Sequence, residues 1–280
     1  MVDALTGMET ERQGSVIPKQ SPLQIQKAVI FGIFIREIGN RFGRYTLGYL
    51  WAPLEPFIYV AVLSVIRGAI SGAPLAGLPV PLFFASGVLP FILFRIIPIT
   101  SLSCVESNLG LFNYQRVKPA DVFVARFILE NLIIISVSLL IFPLLYIIGQ
   151  EFEINSPLRF FGVYALFLMF IAGLGLMFTV LGPLWVEAKK VMPLFFRPLF
   201  FISGIFFSLS SIPSSFRYAF TWNPVLHALE LLRDSAFVGY DLAPEVSVRY
   251  LATAAVLSFA FGICIYRLFR IKIVTSGTIK

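Results

Sequence analysis

Of the 280 residues, 58% are hydrophobic and only 13% are charged, with a formal net charge of +7 and a mean hydropathy of +0.87. Soluble domains carry about 25% charged residues, so a water-soluble globular enzyme is excluded. With 30 Phe, 10 Tyr and 3 Trp, the chain has more apolar surface than one core can bury, and lipid must solvate much of it.

Residues 1–22 are polar and mixed in charge, with no apolar run near Met1. They are expected to form a disordered cytosolic tail rather than a cleavable signal peptide. In the next segment, 23–50, Arg36, Glu37, Asn40, Arg41 and Arg44 share one helical face, while Phe31, Phe34, Ile35, Ile38, Phe42, Tyr45 and Tyr49 take the other. That pattern predicts an amphipathic helix lying in the headgroup plane with its basic face toward the cytosol. It serves either as a membrane anchor or as a platform for a partner.

Beyond it, charge-poor runs recur at about 20 residues, the length that crosses roughly 30 Å of hydrocarbon as a helix. Six are read, near 50–70, 80–105, 127–148, 160–183, 194–212 and 248–266, which makes an all-α polytopic membrane protein. A permease domain then covers 23–270, followed by a short cytosolic tail at 271–280. Cytosolic segments accumulate Lys and Arg; with the N-terminus inside, 15 of the 22 fall on that side, 5 at the outer side and 2 at membrane depth. Both termini are expected in the cytosol. The basic residues flank spans rather than forming one soluble face, so nucleic acid is not an expected partner.

Several chemistries lack their residues. Cys104 and Cys264 lie 160 positions apart within apolar stretches, His227 is the single histidine, and no GxxxxGK[ST] phosphate loop occurs. Neither a thiolate or polyhistidine metal site nor a nucleotide site can be drawn from these. No cofactor is expected in this chain.

The run from Arg36 to Pro56, REIGNRFGRYTLGYLWAPLEP, resembles the entry to the first span of KpsM-type permeases, the membrane subunits of bacterial ABC exporters for capsular polysaccharide. Val117-Lys-Pro-Ala-Asp121 with Ala125-Arg126, and Asn223-Pro-Val-Leu-His-Ala-Leu-Glu-Leu-Leu-Arg233, are similar to the same family. The resemblance covers about residues 28–270. It implies a homodimer of six-span subunits in the inner membrane, each joined to a cytosolic ABC ATPase that holds ATP and Mg, moving a lipid-linked polysaccharide. Periplasmic co-polymerase and outer-membrane export proteins are the further partners it implies. Permeases for O-antigen or teichoic acid share the architecture.

By resemblance, the 23–50 helix with Arg36, Arg41 and Arg44 is an interface helix. The loop 106–126, with Asn113, Arg116 and Lys118, is a coupling element that docks the ATPase. Charges at membrane depth are costly and mark functional positions. Arg95, about ten residues from the inner end of its span, and Arg197 are candidates for attracting an anionic cargo. Glu55 and Glu130, near the inner mouth, either complete that path or merely neutralise the arginines. Phe91 and Phe94 are candidate rings for sugar stacking, although core packing explains any single Phe as well. In the outer segment 213–246, Asn223 and Pro224 predict a short helix on which Glu230 and Arg233 pair. The family resemblance makes this region, with Trp222, His227, Glu230 and Arg233, an outer gate. A secondary transporter would show inverted repeats and a membrane glycosyl- or acyltransferase a cluster of acids or His at one mouth; neither pattern is evident.

Overall fold

The computed structural model describes residues 21–42, 51–114 and 116–278, and the architecture among them is helical. In chain order come α1 (Pro22–Phe42), α2 (Trp51–Ile70), α3 (Val80–Ser101), a 3-10 run at Glu106–Asn113, α4 (Pro119–Ile147) and α5 (Pro157–Leu184). They are followed by α6 (Ala188–Ile202), the single turn α7 (Ser214–Arg217), α8 (Pro224–Ala236) and α9 (Val248–Thr278). Five helices, α2, α3, α4, α5 and α9, are long and apolar enough to cross a bilayer. The all-α polytopic class expected from composition is the class observed.

α3 is the centre of the bundle and is buried along most of its length, whereas α2 is mostly open. α5 and α9 pack together through glycines. A side chain at Gly173 would collide with the backbone of Ser258, and one at Gly262 with the backbone of Gly173. In a membrane, where no hydrophobic drive brings helices together, such close approach supplies the dispersion contact that holds them. Gly173→Ala is therefore expected to lower stability by about 1–3 kcal/mol through overpacking, read as earlier thermal unfolding in detergent.

Four elements, α4, α6, α9 and α1, depart from expectation. α4 starts at Pro119 rather than near 127, because Pro119 occupies the first helical position and the Asp121 carboxylate accepts the Lys118 backbone N–H at 2.9 Å. Charges that resemble a loop, Asp121 and Arg126, lie inside the helix because α1 partners them through Gln26 and Glu37. The fifth predicted span, 194–212, is instead a 15-residue helix that starts at Ala188, carries Pro193 and Pro198, and stops at Ile202. At 1.5 Å per residue it reaches only about 22 Å. The chain then turns through Gly204 at φ +76°, a left-handed conformation that favours glycine. The backbone freed at this buried turn is satisfied inside the protein: the Gly204 carbonyl accepts from Arg233 at 2.7 Å, the Ile202 carbonyl accepts from Asn223 at 3.4 Å, and the Leu209 N–H donates to Glu230 at 3.2 Å. Finally, α9 continues to Thr278, so a helix extends into the expected tail.

α1 reverses the expected orientation of its polar face. Rather than turning that face to the cytosol, it packs it onto α4 and the 3-10 run: Gln26 bonds Asp121, Arg36 bonds Asn108, Glu37 pairs with Arg126, and Arg41 pairs with Glu130. Leu23, Phe31 and Ile35 face outward at 74%, 63% and 51% exposure, which suits contact with acyl chains. The inner ends of the spans offer charges that need partners, and α1 supplies them.

Candidate functional site

Where α1 meets the start of α4, one polar network joins α1, α3, α4 and the 3-10 run. Arg126 of α4 donates to Glu37 at 3.1 Å, to the Thr100 carbonyl at 2.9 Å and to Ser107 Oγ at 2.7 Å. Asn108, 2% exposed, accepts from Arg36 and donates to the Cys104 carbonyl at 3.0 Å. Lys189 at the start of α6 pairs with Glu106. Arg36 and Arg41 are thus engaged within the chain itself, and Glu130 lies at 4% side-chain exposure against Arg41, itself 34% exposed. Arg44 falls outside the described residues, and only the backbone of Asn113 is described. By contrast Tyr114, Arg116 and Lys118 are exposed, and neither cation forms an ion pair among the described residues.

Further into the bilayer, Arg95 on α3 pairs with Glu55 on α2. Helix α3 ends at Ser101, so Arg95 is six residues, about 9 Å, from its inner end and shallower than the sequence count of ten. The pair is open, with side-chain exposures of 31% and 48%. Arg197 on α6 is exposed as well and makes no ion pair among the described residues. The carboxylate and arginine candidates do not merge into one inner cluster: Glu130 belongs with Arg41, and Glu55 with Arg95.

Phe91 and Phe94 sit in the core at 1% and 4% exposure. Phe91 packs edge-on against Phe200 at 5.3 Å, and Phe94 stacks on Phe170 at 6.2 Å and meets Phe196 at 5.3 Å. These contacts hold α6 and α5 to α3, and neither ring lines an open surface in this arrangement. Phe195 and Phe201, at 59% and 60% exposure, are rings on α6 that do.

The outer candidates split in two. Trp222 is exposed at 58%, with its indole N–H fixed on the Ala219 carbonyl at 2.8 Å. His227, Glu230 and Arg233 are buried. Arg233 donates to the Gly204 carbonyl at 2.7 Å, the Phe83 carbonyl at 3.2 Å and Ser86 Oγ at 3.3 Å, and its guanidinium lies 3.8 Å above the Phe83 ring. Glu230, 3.7 Å from Arg233 as the helical spacing implies, accepts from the Leu209 N–H and Ser208 Oγ, each at 3.2 Å. Together they fasten α8 to α3 and to the turn after α6. The loop before α5 clamps the far end of α8, with the Asn155 N–H on the Ala236 carbonyl and the Ser156 N–H on the Ser235 carbonyl, at 3.1 and 2.9 Å.

His227 closes the cap formed by α8 and its flanking turns, residues 221–247, through both ring nitrogens: Nε2 lies 2.8 Å from the Thr221 carbonyl, and Nδ1 accepts the Ser247 N–H at 3.1 Å. An accepting Nδ1 requires the neutral ring. Burial pushes its pKa below the ordinary histidine range. The sign follows: above about pH 6.5 the ring is neutral whether the cap is closed or open, and as pH falls through that value the open form takes the proton first. The cap is therefore expected to loosen on acidification, seen as faster amide exchange in 221–247, and His227→Phe is expected to remove that pH dependence. No group of three His, Cys, Asp or Glu that could hold a metal occurs among the described residues.

Sequence reading placed Arg95, Glu55 and the Glu230–Arg233 pair usefully but missed Asn108, Ser86 and Ser208. A lone Asn or Ser carries no signal until the fold buries it.

Residues 29–237 match the ABC-2 type transporter family. The chain is 38% identical over 248 residues to the polysialic acid transport protein KpsM of Escherichia coli, covering 89% of this chain and 96% of that one. It is 27% identical over 264 residues to the capsule polysaccharide export inner-membrane protein BexB of Haemophilus influenzae, covering 88% and 96%. With CtrC, the capsule polysaccharide export inner-membrane protein of Neisseria meningitidis, it shares 28% identity over 225 residues, or 77% and 81%.

Proposed function

Because the chain belongs to the ABC-2 type transporter family, we propose that it is the transmembrane subunit of an ATP-driven exporter that moves lipid-linked capsular polysaccharide across the bacterial inner membrane. The observation that carries this reading is the full-length likeness to KpsM together with the two capsule export relatives. The chain is a permease rather than an enzyme. ATP and Mg are bound by a separate cytosolic ABC subunit, and the exposed end of the 106–118 segment, with Tyr114, Arg116 and Lys118, is where that subunit docks. Arg36 and Arg41 contribute indirectly, by seating α1 against α4.

A second copy of the chain completes the path. The open side of α2 and the exposed charges of Glu55, Arg95 and Arg197 support this, since charged groups at membrane depth face a partner or a water-filled cavity rather than lipid. In that path the arginines draw the anionic part of the cargo inward, where charge-assisted hydrogen bonds are strong, and Phe201 presents a flat face to sugar rings. Exit at the outer side runs past Trp222, with α8 as a fixed wall. Both termini lie in the cytosol, and periplasmic and outer-membrane proteins continue the route.

Deletion of the gene tests the reading. Surface polymer should disappear while lipid-linked polymer accumulates inside the cell, and the intact chain should restore export. Undiminished surface polymer in the deletion strain would contradict it.

A further inference from the structure

The 3-10 run Glu106–Asn113 is broken at Asn108, whose backbone leaves the helical region at φ −131°, ψ 16°. The break turns the side chain inward, where it is 2% exposed. Its Oδ1 accepts from Arg36 of α1. Its Nδ2 donates to the Cys104 carbonyl and to Ser107 Oγ, both at 3.0 Å, and reaches Glu37 Oε1 of α1 at 3.4 Å. The same Glu37 carboxylate is held by Arg126 of α4, which also grips Ser107. A single amide therefore joins the root of this segment to two successive charged residues of α1.

We propose that Asn108 is a positioning residue for transport: it transmits displacement of the 106–118 segment to α1, and through Arg41–Glu130 and Glu37–Arg126 to the inner half of α4. This rests on the reading that the exposed end of that segment receives the ATPase. Tyr114 and Arg116 stand six and eight residues beyond Asn108 and are exposed, so a load applied there reaches α4 along the chain at Pro119 and reaches α1 through the segment's root at Asn108. The amide suits the task because it offers an acceptor to Arg36 and a donor toward Glu37 side by side. A carboxylate in its place would repel Glu37, and an apolar group would leave Arg36 and Glu37 without contact to the segment. On the opposite side Glu106–Lys189 ties the start of the run to α6, so the same displacement engages both α1 and α6.

The test uses the assembled permease and ATPase in proteoliposomes, measuring polymer moved per ATP hydrolysed. In Asn108→Ala the complex should assemble and hydrolyse ATP, while polymer per ATP falls by about tenfold, the scale of one buried charge-assisted contact. Asn108→Asp alone should be uncoupled in the same way. The double variant Asn108→Asp with Glu37→Gln should recover part of the ratio, because the carboxylate introduced on the segment then accepts both from Arg36 and from the amide introduced on α1, while loss of the Glu37–Arg126 ion pair keeps it below the parent. A wild-type ratio in Asn108→Ala would overturn the proposal. So would a fall in export that tracks lost thermal stability of the complex and that the double variant does not restore, which would mark a structural role only. Failure of the wild-type chain to retain the ATPase would instead overturn the docking reading on which the proposal stands.

Discussion

Replacing Arg233 with methionine is expected to lower stability by about 3–5 kcal/mol, the usual result of removing one partner from a buried ion pair. The side chain is 0% exposed, as is Glu230. Methionine fills much of the volume but leaves the Glu230 carboxylate without its cation and frees the acceptors at Gly204, Phe83 and Ser86. Arg233→Lys should recover only part of the loss, since a point charge cannot reproduce a fork reaching three acceptors. The double variant Arg233→Met with Glu230→Gln should be milder than Arg233→Met alone, because no uncompensated carboxylate remains. Thermal unfolding in detergent, followed with protease accessibility of 203–240, measures all three. Equal stability of Arg233→Met and the parent would show that α8 is not held in this way.

The second large effect concerns Arg95. Arg95→Gln is expected to reduce export by about 10–100-fold, equivalent to the 1.5–3 kcal/mol of a hydrogen bond to a charged group, with the chain still folded and inserted in the membrane. The pairing with Glu55 offers a simpler explanation for the same loss, namely an orphaned carboxylate at membrane depth. The double variant Arg95→Gln with Glu55→Gln separates the two. If Arg95 only neutralises Glu55, two neutral amides can bond each other and export returns. If Arg95 attracts the anionic cargo, the double variant stays as impaired as the single. The open setting of the pair, with nearly half of the Glu55 side chain exposed, favours the cargo role.

The class and five of the six spans were legible because hydrocarbon imposes a length and a composition that single residues cannot disguise. The α8 start was legible as well, since Asn223 and Pro224 are strong local signals and Asn223 does cap the Val225 N–H at 3.0 Å. What escaped depended on partners distant in sequence. Asp121 and Arg126 look like loop residues until Gln26 and Glu37 are brought against them. The polar face of α1 looks like a cytosolic surface until α4 presents complementary charges. Arg233 lies 147 positions from Ser86, and nothing local distinguishes an arginine at a gate from one buried as a bolt. The short α6 was foreshadowed by Pro193 and Pro198, but the apolar residues up to 207 hid the turn at Gly204, because hydropathy does not register where a buried chain reverses.

Reconstitution in sealed vesicles loaded with lipid-linked polymer addresses the central claim most directly. With its ATPase subunit and ATP, the chain should move polymer across the bilayer, and omission of either should stop it. Sustained net transfer by the chain alone, with neither ATPase nor nucleotide, would contradict the account.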